Sequence, residues 1–81
     1  MSWHVYILKC GDGTFYAGAT NDLPKRLAAH RSGNGAKYTR GRGPLALVWK
    51  KGVKDRSAAL KLEARIKRLR RAEKEKLARA V

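Results

Sequence analysis

The chain has 81 residues, 43% of them apolar and 32% charged, with 20 Lys and Arg against 6 Asp and Glu for a formal net charge of +14. That length allows one hydrophobic core and not two, and that apolar fraction excludes wholesale disorder, so one folded domain over residues 1–81 is expected. So large a cation excess opposes compaction and calls for a polyanionic partner, while no apolar run approaches the ~20 residues of a membrane-spanning helix.

The N-terminus, Met1-Ser2-Trp3-His4-Val5, lacks the layout of a signal peptide, so a soluble cytoplasmic protein is expected. Trp3 to Lys9 is rich in β-branched and aromatic residues, stops at the turn cluster Cys10-Gly11-Asp12-Gly13, and is followed by Thr14 to Gly18 with strand character again, which predicts a β-hairpin. A three-residue loop of Gly11, Asp12 and Gly13 sets Leu8 opposite Tyr16, with Tyr6 diagonally beside it on the same face. A two-residue loop would split the two tyrosines between faces. Glycine in the third loop position suits the left-handed conformation that three-residue hairpins favour. His4 is assigned to the face opposite Tyr6 and given no catalytic role. Cys10, the only cysteine, excludes an internal disulfide or a thiolate-rich zinc site and reads as a small apolar residue at a strand end.

Asn21-Asp22-Leu23-Pro24 offers an N-cap and a first-turn proline, predicting a helix from about Leu23 to Arg31 that ends at Ser32-Gly33-Asn34-Gly35. Residues 35–44 are glycine-rich and cationic without apolar periodicity and read as a long mobile loop. Leu45 to Trp49 suits a third strand. Asp55 or Ser57 can cap a helix running to about Arg70, in which Leu62, Ile66 and Leu69 recur at helical spacing, and a last helix starts near Arg71. The expected fold is α+β, a small three-stranded, mostly antiparallel sheet flanked by helices in the order β-β-α-β-α-α.

Val5-Tyr6-Ile7 and Tyr16-Ala17-Gly18, on successive strands, resemble the two motifs that name the GIY-YIG nuclease superfamily. The resemblance extends in register through Arg26 and His30 on the next helix, the loop Lys37-Tyr38-Thr39-Arg40, and Glu63 on the helix after the third strand. It covers nearly the whole chain and is closest to the small single-domain bacterial members. Val5 and Ala17 replace the Gly and Ile of the motif names without removing a functional side chain. Ala19 stands where the excision-repair members carry a lysine, and no late asparagine is present.

The resemblance implies a phosphodiesterase, an endonuclease that is structure-selective or weakly sequence-specific and serves DNA repair or recombination. It gives Tyr6 the task of activating or orienting the attacking water, with Tyr16 close to the same phosphate. It makes Glu63 the single protein ligand of Mg²⁺ or Mn²⁺, a mode that suits a hydrated cation needing one or two carboxylates. Arg26 and His30, spaced i, i+4, project from one helix face. A guanidinium there suits a scissile phosphate, and an imidazole can accept or relay a proton. On composition alone Arg26 is one cation among twenty, and Glu63 could equally form an i, i+4 pair with Lys67.

Lys37, Tyr38, Arg40 and Arg42 in the loop and Lys67, Arg68 and Arg71 in the basic tract are assigned to nucleic-acid binding, on DNA in preference to RNA, the tract through phosphate contacts that carry no sequence information. Asp12, Asp22 and Asp55 are read as turn or cap residues, and Trp3, Phe15 and Trp49 as core. The competing functional class is a nucleic-acid-binding module that cuts little. Docking on lipid is disfavoured because the C-terminal apolar stripe is narrow and lacks an aromatic anchor. A monomer is the default expectation.

Overall fold

The computed structural model describes residues 2–32 and 43–79. Three strands and three helices follow the expected order: β1 (Trp3–Lys9), β2 (Phe15–Thr20), α1 (Leu23–Arg31), β3 (Ala46–Val53), α2 (Arg56–Arg68) and α3 (Arg71–Arg79). The strands form one antiparallel sheet in the order β2-β1-β3, so the first strand is central. No helix among the described residues is long and apolar enough to cross a membrane.

The hairpin has the three-residue loop that the sequence predicts. Cys10 N–H donates to the Thr14 carbonyl at 2.8 Å, Gly13 N–H donates to the Cys10 carbonyl at 2.9 Å, and Gly13 has φ +86°. Asp12 accepts from both the backbone N–H and the hydroxyl of Thr14, which fixes the turn. Leu8 therefore pairs with Tyr16 and Tyr6 with Gly18.

Alternation along β1 divides its side chains between two cores. Val5 and Ile7 are buried with Ala17 against Ala59 and Ile66 of α2, and Trp3, Phe15, Trp49, Leu62, Leu69 and Leu77 pack around them. Tyr6 and Leu8 are buried on the other face with Leu23 of α1, beside Tyr16, Leu27, Leu45 and Leu47. A β-bulge interrupts the pairing of this strand with β3. Ile7 pairs with Trp49 but Leu8 with Leu47, and Val48 is the extra residue. The bulge lets β3 give Trp49 to the α2 side and Leu47 to the α1 side.

Period-2 alternation also corrects the expectation for His4. Residues 4 and 6 of one strand share a face, and His4, paired with Thr20 and Gly52, stands in the same row as Tyr6. It lies beside Gly52, where a Cβ would be 3.7 Å from its Nε2.

The helices start where acidic caps stop the preceding strands. Asp22 accepts from Lys25 N–H at 3.2 Å and Asp55 from Ala58 N–H at 2.8 Å. Either cap is worth about 1 kcal/mol. The Thr20 hydroxyl, nearly buried, accepts from Asp22 N–H at 3.0 Å and holds the turn from β2 into α1. Glu73 accepts from Arg70 N–H at 3.2 Å at the start of α3.

Candidate active site

The site forms where α1 lies across the hairpin face that carries the two tyrosines. Leu23 and Leu27 seat the helix on Leu8 and Tyr6, and the i, i+4 pair Arg26 and His30 is thereby turned onto the phenols. The Tyr6 hydroxyl is 2.9 Å from His30 Nε2, and both side chains are buried. The three rings close on one another, with centroids 6.5 Å apart for Tyr6 and Tyr16, 5.9 Å for Tyr6 and His30, and 5.2 Å for Tyr16 and His30.

Arg26 hydrogen-bonds to Tyr6 and, more weakly, to Tyr16, and a guanidinium only donates. The Tyr6 oxygen therefore accepts from Arg26, and its O–H donates to His30 Nε2 in the tautomer that carries the imidazole proton on Nδ1. The electrostatics agree. Burial, with the nearby Arg26 charge second, lowers the His30 pKa below its usual 6.5. Burial raises the Tyr6 pKa above the usual 10, partly offset by the bond from Arg26. The Tyr6 bond in turn holds Arg26 more firmly protonated.

Glu63 projects from α2, and its charge is the smallest of the influences that raise the Tyr6 pKa. Its carboxylate lies 3.8 Å from Lys67 Nζ, so the i, i+4 pair anticipated as the plain alternative is present. Among the described residues no group of three or more His, Cys, Asp and Glu is arranged to hold a metal ion. The donor chemistry fits a hydrated Mg²⁺ or Mn²⁺ held by one carboxylate and substrate oxygens, and does not fit a protein-caged ion.

Tyr6, Tyr16, Arg26 and His30 are thus brought together, with Glu63 at their border. Lys67 and Arg71 line hollows beside β2, whereas Arg68 lines neither. Lys37, Tyr38, Arg40 and Arg42 lie outside the described residues. Ala19 pairs with Val5 and packs into the α2 core, so its position does not face Tyr6.

Two contributors escaped the sequence reading. Gly18 lies directly across from Tyr6, and a Cβ there would come within 2.5 Å of the Tyr6 hydroxyl and 3.1 Å of Tyr16 Cε2. The glycine of the second motif is therefore the floor on which the Tyr6 ring rests, a fact implicit in pairing Leu8 with Tyr16. Lys50, exposed, pairs with Tyr6 from β3 and so shares its face. No local signal marks it, because its register depends on the bulge at Val48.

A hairpin bearing two clustered phenols, with an arginine and histidine from the next helix and a glutamate from the one after, defines the GIY-YIG catalytic domain, a nuclease domain. The family model for that domain matches residues 2–76, and the chain belongs to this family. Among its relatives is a UPF0213 protein of Halobacterium salinarum, 50% identical over 74 residues that span 91% of this chain and 96% of the relative. A UPF0213 protein of Yersinia pestis is 51% identical over 75 residues, 93% of this chain and 79% of that protein. Solution NMR structures of a UPF0213 protein from Bacillus halodurans (45% identity, TM-score 0.62) and of an E. faecalis protein (40% identity, TM-score 0.66) are similar in fold. Each comparison covers 99% of this chain and 85% of the solved one.

Proposed function

We propose that the protein is a divalent-metal-dependent endonuclease that hydrolyses phosphodiester bonds in DNA, with structure-selective or weakly sequence-specific recognition and a place in repair or recombination. The observation that carries the proposal is the buried hydrogen bond between the Tyr6 hydroxyl and His30 Nε2, with Arg26 bonded to both phenols.

A phenol whose pKa lies above 10 is a poor base at neutral pH, but one already donating to an imidazole can pass a proton on. Water entering with the substrate gives its proton to the Tyr6 oxygen while the Tyr6 proton moves to His30 Nε2. The hydroxide so formed attacks phosphorus, and His30 becomes imidazolium. Arg26 opposes that charge, and the arriving phosphodiester offsets it. Tyr6 has no exposed surface, so the guanidinium must swing from phenol to phosphate for water to reach it. That movement ties activation of the water to the presence of substrate. Glu63 would hold the metal ion, whose chemistry is neutralisation of charge on the phosphoryl oxygens and the leaving alkoxide.

The test is Mg²⁺- or Mn²⁺-dependent cleavage of a panel of linear, nicked, flapped and branched DNA. Glu63→Ala is expected to abolish cutting, and Tyr6→Phe and Arg26→Ala to reduce it by at least about 100-fold, with binding largely retained. Tyr16→Phe should cost less than Tyr6→Phe. The pairing of Glu63 with Lys67 favours the second reading, a nucleic-acid-binding module that cuts little. Binding without cleavage of any substrate under either metal would establish that reading instead.

A further inference from the structure

We propose that the groove between the hairpin and the α2–α3 corner is a channel for one unpaired strand of nucleic acid leaving the cleavage site. Two adjoining hollows build it. The first, about 290 Å³, is lined by Phe15, Tyr16, Ala17, Lys67 and Lys74; the second, about 190 Å³, by Thr14, Phe15, Arg71 and Lys74. Shared Phe15 and Lys74 make them continuous, and the first opens at Tyr16, a ring of the catalytic cluster.

Lys67 of α2 and Arg71 and Lys74 of α3 line this slot on one side, and Thr14, Phe15, Tyr16 and Ala17 of the hairpin line it on the other. Arg71 reaches over Gly13, where a Cβ would stand 3.2 Å from its guanidinium nitrogen. Lys74 is half-buried and lines both hollows. Among the described residues Lys67 pairs with Glu63 at 3.8 Å and Arg71 with Glu75 at 3.5 Å, each one helical turn away. Both cations are exposed in these pairs, and a pair held by an exposed cation contributes little and yields readily to a phosphate. Phe15, half-buried, gives the slot an apolar floor on which a base or sugar can lie. Each hollow has room for about one sugar-phosphate unit, which suits a single strand held through its phosphates. Arg68, beside Lys67 in sequence, lies outside the channel.

The inference rests on the site being a nucleic-acid site, and its test separates the two. Binding of the full chain to a labelled single-stranded oligonucleotide and to the same sequence as blunt duplex is measured across a salt series in EDTA, where nothing is cut. The variant Lys67→Gln/Arg71→Gln/Lys74→Gln is compared with Lys51→Gln/Lys54→Gln/Arg56→Gln, which removes equal charge at the opposite end of the sheet. The channel variant should lose at least tenfold in single-strand affinity and lower the salt slope by about 2, at ~0.7 per released phosphate contact. The distal variant should lose less than a third of that. Matching circular dichroism and melting midpoints verify that both variants fold. An equal loss in the distal variant, an equal loss on blunt duplex, or no single-strand binding by the wild type would overturn the channel. A nuclease-inactive wild type that still showed the channel-specific loss would sink the catalytic reading and leave the channel standing.

Discussion

Gly18 is the residue at which the motif becomes geometry. Its missing Cβ is the space the Tyr6 ring occupies, so Gly18→Ala must displace that ring. We expect Gly18→Ala to cost about 1–3 kcal/mol in stability through overpacking. A displacement near 1 Å at the reacting group is expected to lower cleavage about 100-fold. Melting curves and single-turnover rates on the same preparation check both. His30 gives a second prediction. Its folded pKa lies below the unfolded value near 6.5, so the unfolded chain binds more protons in the window just below that pH, and stability falls on acidification. His30→Gln should remove that slope, measured as urea midpoints across mildly acidic pH. The acid limb of the cleavage rate should likewise sit below pH 6.5, since catalysis needs the neutral ring. The resemblance singled out Tyr6, Tyr16, Arg26 and His30, and that Tyr6 shares a face with Tyr16, and Arg26 with His30, was legible because loop length and i, i+4 spacing are local rules. Lys50 was not, because its place follows from a non-local strand pairing shifted by a bulge. His4 was misplaced although the alternation rule alone puts it beside Tyr6.

Among the elements, the hairpin sets the geometry on which the rest depends. Its three-residue loop requires a left-handed residue, and Gly13 supplies it at φ +86°. Gly13→Ala should destabilise the protein by about 1 kcal/mol or more, and Gly13→Asn by less, because asparagine visits that region more readily. Thermal midpoints will show the order, and each 1 kcal/mol shifts the midpoint of a domain this size by roughly 4–8 °C. The helices were also readable, since acidic caps mark the starts of α1 and α2 and apolar spacing marks the buried face of α2. The third strand was foreseen as Leu45 to Trp49 but extends to Val53. Its second half, Lys50-Lys51-Gly52, has no apolar alternation, and only pairing with β1 makes it a strand. Lysines on an edge strand also discourage pairing with another sheet.

Over the whole molecule, a net charge of +14 supplies a general attraction for polyanions that no single residue accounts for, and affinity for any nucleic acid should fall steeply with salt. The sequence read that field directly but could not place Lys74, whose position depends on how α3 folds back on the sheet. The two cores are unequal, and this has a consequence for how the protein fails. The central strand is clamped from both faces, whereas among the described residues α1 is seated by Leu23 and Leu27 together with the Tyr6–His30 bond. Amides of α1 should then exchange with solvent deuterium through a partial opening, while those of Val5 to Leu8 wait for global unfolding. Every such opening carries Arg26 and His30 away from a still-folded sheet. Catalysis and fold would accordingly have different ceilings of temperature and denaturant, with activity lost first and recovered without refolding the sheet. Equal exchange rates in α1 and β1 would refute this.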